Sequence, residues 1–291
     1  MIQNYYKVAD LYFCLEAEKS IFDQMNDYLP FLTDKGPASE SLFTLTIKIG
    51  GNPGFVYTQD TFRDEDGLTV TNGHTAEGAD VFIYQLNHQD LFWLICEERH
   101  RKGTLIITNS HPRIALDFGI TIIYRYNAIT KMTGVIHAST VSFDNKAWLF
   151  LGLSGTGKST HSRLWMKYFD NVSLVNDDKP IIRIFDNDEV RVYGSPWSGK
   201  TPCYRQVSYP IGGMVKLQQA PHNRIRRLNA VESYYVLLHS FYGKRWDPHI
   251  SDAIHQFEER LVRLVPMWHL ECLPDEDAAK LCKDTITNNN K

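Results

Sequence analysis

Gly152-Leu153-Ser154-Gly155-Thr156-Gly157-Lys158-Ser159-Thr160 satisfies the pattern G-x-x-x-x-G-K-[ST], and its reading decides the fold expected of the whole chain. Glycines let a backbone curl until successive N–H groups point at one anionic group, and a helix starting at the lysine adds its positive end. Lys158 would then reach the β and γ phosphates of a nucleotide, with the Ser159 hydroxyl on Mg²⁺. Gly152, Ser154, Gly155, Thr156, Gly157, Lys158, Ser159 and Thr160 are therefore the candidate nucleotide-binding residues. The flanks agree with this reading. Ala147-Trp148-Leu149-Phe150-Leu151 is a short apolar run that suits a buried strand, and His161 to Phe169 carries apolar residues at helical spacing.

Downstream, the chain returns through Asp170-Asn171 into Val172-Ser173-Leu174-Val175 and reaches Asn176-Asp177-Asp178. Paired carboxylates at the end of a strand, close after such a loop, suit a Mg²⁺-nucleotide site: one holds the metal, the other takes a proton from an attacking hydroxyl. Asp177 and Asp178 are the candidates. A hairpin, Ile181–Phe185 and Val190–Tyr193, then delivers Gly194-Ser195-Pro196-Trp197-Ser198-Gly199-Lys200. That loop is either a structural turn or a device that brings Lys200 to a transferred phosphoryl group. Arg224, Arg226 and Arg227 read first as a solvated basic face. Helices are expected over Val231–Phe241, Ser251–Arg263 and Asp275–Ile286, with a strand over Val265–Leu273.

Upstream, Leu42–Ile49 alternates apolar and polar and stops at Gly50-Gly51, as a half-buried strand does. Similar runs at Gly54–Thr58, Val81–Leu86, Leu91–Glu97 and Thr104–Thr108 suggest an antiparallel sheet or sandwich. His74, His88, His100 and His111 are too dispersed for a metal site by spacing. Ser110 and Pro112 open a helix that continues toward Gly134 and links the two parts of the chain. Val135 to Phe143 follows as a strand that carries His137. The expected organisation is a β-rich domain over 1–109, a linking helix over 110–134, a catalytic domain over 135–287 and a frayed tail over 288–291.

Composition narrows the class. With 291 residues, 43% of them hydrophobic, there is material for a sizeable core, and a net charge of −3 gives no electrostatic reason to expect nucleic acid. Five scattered cysteines without a C-x-x-C pair fit a reducing compartment. Met1–Asp10 has no basic and then apolar leader, and no run is long enough to span a bilayer. A soluble, cytoplasmic protein without membrane contact is expected.

Taken together, Ile136-His137-Ala138-Ser139, the glycine loop and Leu174-Val175-Asn176-Asp177-Asp178 resemble, in order and spacing, the superfamily that joins the catalytic domain of HPr kinase/phosphorylase to phosphoenolpyruvate carboxykinase. The likeness covers about residues 130 to 205, weakens onward, and hardly touches the first hundred. It implies a mixed α/β (α+β) nucleotide-binding domain of that type behind the β-rich one. It also implies Asp177 as base, Asp178 and His137 as metal contacts beside Ser159, and ATP with Mg²⁺ or Mn²⁺. Carboxykinases follow the aspartate pair with Glu-His where this chain has Lys179-Pro180, which points away from oxaloacetate chemistry. HPr kinases have an acidic residue after the loop serine where this chain has Thr160 and His161. The nearest likeness is to HPr-kinase-like proteins with an H-A-S strand and an S-P-W-S-G-K loop. The expectation is a serine kinase acting on a protein or peptide, with a homo-oligomer among the arrangements the family allows. A small-molecule or carboxykinase-like phosphotransferase, using the Arg224 cluster on an acidic metabolite, and a non-catalytic ATP sensor are the alternatives.

Overall fold

The computed structural model describes residues 1–34, 41–65, 67–108, 111–199, 201–241, 243–245 and 247–288. Lys200, the Ser110 cap and positions 289–291 of the expected tail lie outside them. The chain divides into two compact units, Met1–Ala128 and Ile129–Lys291. Both are mixed α/β, and each is built on one large mixed sheet of nine strands among the described residues. No helix among the described residues is long and apolar enough to cross a membrane.

In the first unit, β1 (Ile2–Val8), β2 (Leu11–Ala17), a single-turn helix α1 (Lys19–Phe22) and β3 (Leu32–Thr33) precede β4 (Ser41–Ile49). Then come β5 (Thr58–Glu65), β6 (Leu68–His74), β7 (Asp80–Leu86), β8 (Gln89–Glu97), β9 (Lys102–Ile107) and the helix α2 (Pro112–Ala128). The sheet runs β3-β1-β2-β4-β9-β8-β7-β6-β5. It is not the antiparallel sheet or sandwich expected, because β2 with β4 and β4 with β9 pair in parallel. The run Gly54–Thr58 becomes strand only at Thr58. The helix expected as a link ends at Ala128 and belongs to the first unit. Its apolar stripe is one layer of that unit's core: Tyr124 meets Phe13 edge-on, and Phe13 stacks on Tyr6 and Phe43. Ala115, Leu116, Ile120, Ile123 and Tyr124 are buried, so the helix packs as a core element of that unit.

The second unit holds β10 (Thr133–Val135), β11 (Ala138–Phe143), β12 (Lys146–Leu151), α3 (Lys158–Tyr168), β13 (Ser173–Asp178), β14 (Ile181–Ile184), β15 (Val190–Tyr193) and β16 (Ser208–Gln219). It closes with β17 (Arg224–Arg227), α4 (Ala230–Leu238), α5 (Pro248–Leu264), β18 (Met267–Cys272) and α6 (Glu276–Asn288). Its sheet runs β10-β14-β15-β16-β12-β11-β13, with β18 on β16 and β17 on β18. The apolar run before the glycine loop is β12, buried at every position from Ala147 to Leu151, as a central strand covered on both faces must be. Trp148 and Phe150 point to the side where Trp165 of α3 and Cys282 and Ile286 of α6 close a core with Trp268. Burying each of those large side chains contributes about 2 kcal/mol.

Candidate active site

Register, not sequence proximity, assembles the site. β11 lies between β12 and β13 and is antiparallel to both, so the ends of β12 and β13 emerge on the same edge. Ala138 stands opposite Leu151 on one side and Asp178 on the other. His137, Gly152 and Asp178 are therefore neighbours in space. His137 does not sit within a strand as expected: it falls in the break between β10 and β11. That break is held from two sides, because Ile136 N–H donates to the Pro180 carbonyl at 3.1 Å and His137 N–H to the Ser240 carbonyl at 3.0 Å.

The loop after β12 turns sharply. Gly155 and Gly157 adopt φ of +80° and +105°, conformations that side chains with a Cβ rarely take. Gly157 is the N-cap of α3, and no side chain among the described residues caps the helix. Its first-turn amides, including those of Ser159 and Thr160, thus face the loop with the positive end of the helix behind them. The Thr156 hydroxyl folds inward onto the Leu153 carbonyl at 2.7 Å, whereas Ser154 and Gly155 are exposed. Lys158 is buried, and its ammonium donates to the Gly152 and Leu153 carbonyls at 2.9 and 3.1 Å. Burial pulls its pKa down, and the charges of Asp178 and Asp177 push it back up.

The two carboxylates differ. Asp177 is 5% exposed, while the Asp178 side chain is about a third open. Asp178 lies 3.5 Å from His137 Nε2 and 3.8 Å from Lys179 Nζ. Burial, and after it the Lys158 charge, lowers the His137 pKa against the opposing pull of Asp178. The neutral imidazole is thereby favoured, the form that accepts a hydrogen bond or ligates a metal. Among the described residues, no group of three or more His, Cys, Asp or Glu side chains is gathered to hold a metal. A Mg²⁺ bound by one or two carboxylates and by phosphate oxygens does not need one.

The Gly194–Gly199 stretch is tied to β13. Gly199 N–H donates to the Asp177 carbonyl at 2.7 Å, and Ser198 bridges Asp178. Behind it, the fully buried Asn176 donates to the Ser195 hydroxyl at 3.2 Å and the Trp197 carbonyl at 3.0 Å, and accepts from Lys179 N–H at 2.8 Å. Cys203 Sγ adds contacts to the Leu174 and Val175 carbonyls. The loop's conformation is thus fixed next to the carboxylates, while Lys200 itself is not described. Gln219, at the end of the parallel neighbour β16, donates to the Gly155 carbonyl at 3.1 Å.

Sequence reading did not single out Asn176, Ser195, Cys203 or Gln219. A polar residue inside a strand, as Asn176 is, was the one available signal, because a buried amide needs partners. Gln219 gave none. His161 is buried against Phe150 and accepts from Trp165 Nε1–H at 3.2 Å. Burial lowers its pKa to about 4. The Arg224 cluster forms β17, and Arg226 is paired with Glu232 at 2.8 Å.

The arrangement offers amide donors, one buried lysine, an uncharged histidine and two carboxylates of unequal exposure at one edge of a sheet. No protein-family model matches the chain, and comparison with curated proteins likewise gives no match.

Proposed function

We propose that the second unit is an ATP-dependent phosphotransferase of the HPr kinase and phosphoenolpyruvate carboxykinase type, moving the γ-phosphoryl group onto a serine hydroxyl of a protein or peptide. One observation carries the reading: the pairing of Ala138 with both Leu151 and Asp178, which gathers the glycine loop, His137 and the aspartate pair at one sheet edge. The turned glycine loop and the uncapped start of α3 suit a nucleotide's phosphates.

In this reading the loop amides and Lys158 bind and orient the phosphates. Asp177 takes the proton of the acceptor hydroxyl as its oxygen forms the new bond to phosphorus and the bond to the leaving diphosphate breaks. Mg²⁺, held by Ser159 and Asp178 with His137 beside them, would neutralise charge on the phosphates. His137 supports Asp178 from 3.5 Å, and Asn176 with Ser195 keeps the 194–199 loop against the carboxylates. Most of the rate then comes from positioning and electrostatics.

The test is incubation of the protein, Mg²⁺ and γ-labelled ATP with an extract of its own cells, beside Lys158→Ala. Lys158-dependent label in a polypeptide supports the kinase reading. Lys158-dependent label in a small compound replaces it with a metabolite phosphotransferase, and tight ATP binding without any transfer leaves a sensor.

A further inference from the structure

Among the described residues, the first unit carries a cation with no carboxylate beside it. Arg63 of β5 stands opposite Val70 of β6, and Val70 opposite Tyr84 of β7, so Arg63 and Tyr84 share a face of the sheet. Phe118 of α2 stacks on Tyr84 at 5.8 Å, which makes it the face that α2 covers. Arg125 follows Phe118 on the same helix stripe about two turns later. Its guanidinium carbon lies 5.2 Å from the centre of the Tyr126 ring, and the Tyr84 and Tyr126 hydroxyls are close enough to favour its charge. The Nε–H is sealed from solvent and meets no acceptor among the described residues. Among the described residues, the groups that favour its charge are these two tyrosines, and none is a carboxylate.

A sealed guanidinium N–H and a cation without a carboxylate are costly to keep, and arginine's planar fork matches an oxyanion. We propose that Arg125, Tyr84 and Tyr126 form an oxyanion-binding site in the first unit, taking a carboxylate or phosphate group whose oxygens accept from the guanidinium and the tyrosine hydroxyls. Arg63 adds positive charge on the same face. Burial raises Tyr126 to about 12, so its hydroxyl keeps the proton it would donate. The Arg125 residue as a whole is half-buried. The site is independent of the phosphotransferase reading.

The experiment follows the Arg125 Nε–H signal by NMR in ¹⁵N-labelled full-length protein carrying Lys158→Ala, which removes the glycine-loop lysine from the titration. The signal is assigned as the one missing in Arg125→Lys, or by its proximity to the Tyr126 ring should that variant not fold. Inorganic phosphate and succinate are titrated separately against a sodium chloride control. The expected result is a saturable shift with one or both anions, weakened several-fold in Tyr84→Phe. Phosphate alone acting identifies a phosphate site, and succinate alone a carboxylate site. A signal that stays put with both anions, or that moves only as it does with chloride, overturns the proposal. Either result is read without reference to ATP turnover.

Discussion

At the scale of single residues, the two aspartates separate by exposure. Asp177 is the buried one and Asp178 the one that meets His137 and Lys179. Asp177→Asn should abolish phosphoryl transfer while leaving nucleotide affinity near normal, measured by label transfer and by equilibrium binding of ATP; equal loss of both would remove the role as base. His161 makes a prediction about stability. Its folded pKa of about 4 lies below the ordinary value near 6.5, so the folded state resists a proton that the unfolded chain accepts. The stability it contributes is whole above the unfolded value and is lost as pH falls from there toward the folded one. Between about pH 7 and pH 5 the loss is about 2 kcal/mol. Urea unfolding of wild type and His161→Phe at both pH values checks this: the variant should lose less stability on acidification, and an unchanged loss would mean His161 is not the group responsible.

At the scale of elements, β13 and the 194–199 loop act as one unit because Gly199 approaches the strand more closely than a side chain allows. A Cβ at Gly199 would sit 2.7 Å from the Asp177 carbonyl and 3.2 Å from Asp178 Cβ. Gly199→Ala should therefore push the loop off the carboxylates, costing about 1–3 kcal/mol of stability. Transfer should fall at least tenfold while ATP affinity, set on the neighbouring β12–α3 turn, changes little. Paired kinetics and binding would detect the split, and unaltered kinetics would show that the loop has no part in transfer. The sequence marked this loop by its small residues but left open whether it was a turn or a working part. The hydrogen bonds that decide its position come from Asn176, about twenty residues earlier, and no local pattern announces a pairing at that distance.

At the scale of the molecule, two compact units predict two unfolding steps. In calorimetry, Mg²⁺ with ATP should raise the midpoint of one step by mass action and leave the other in place, and Lys158→Ala should cancel the rise. A common shift of both steps would show the units to be coupled. The strand-loop-helix around Gly152–Lys158, the helices α4 to α6 and the alternating strands β4, β7, β8 and β9 were legible because periodicity and glycine chemistry are local. The first sheet was misjudged as antiparallel, and α2 as a link, because pairing direction and the destination of a buried stripe are properties of distant partners. The sequence by itself determined the strand, glycine turn and helix around Gly152–Lys158 and the presence of His137, Asp177 and Asp178 in a suggestive order. Only the tertiary structure decided that they meet, through β11 pairing with β12 and β13 at once, since strand register is set by hydrogen bonds and burial summed over a whole sheet.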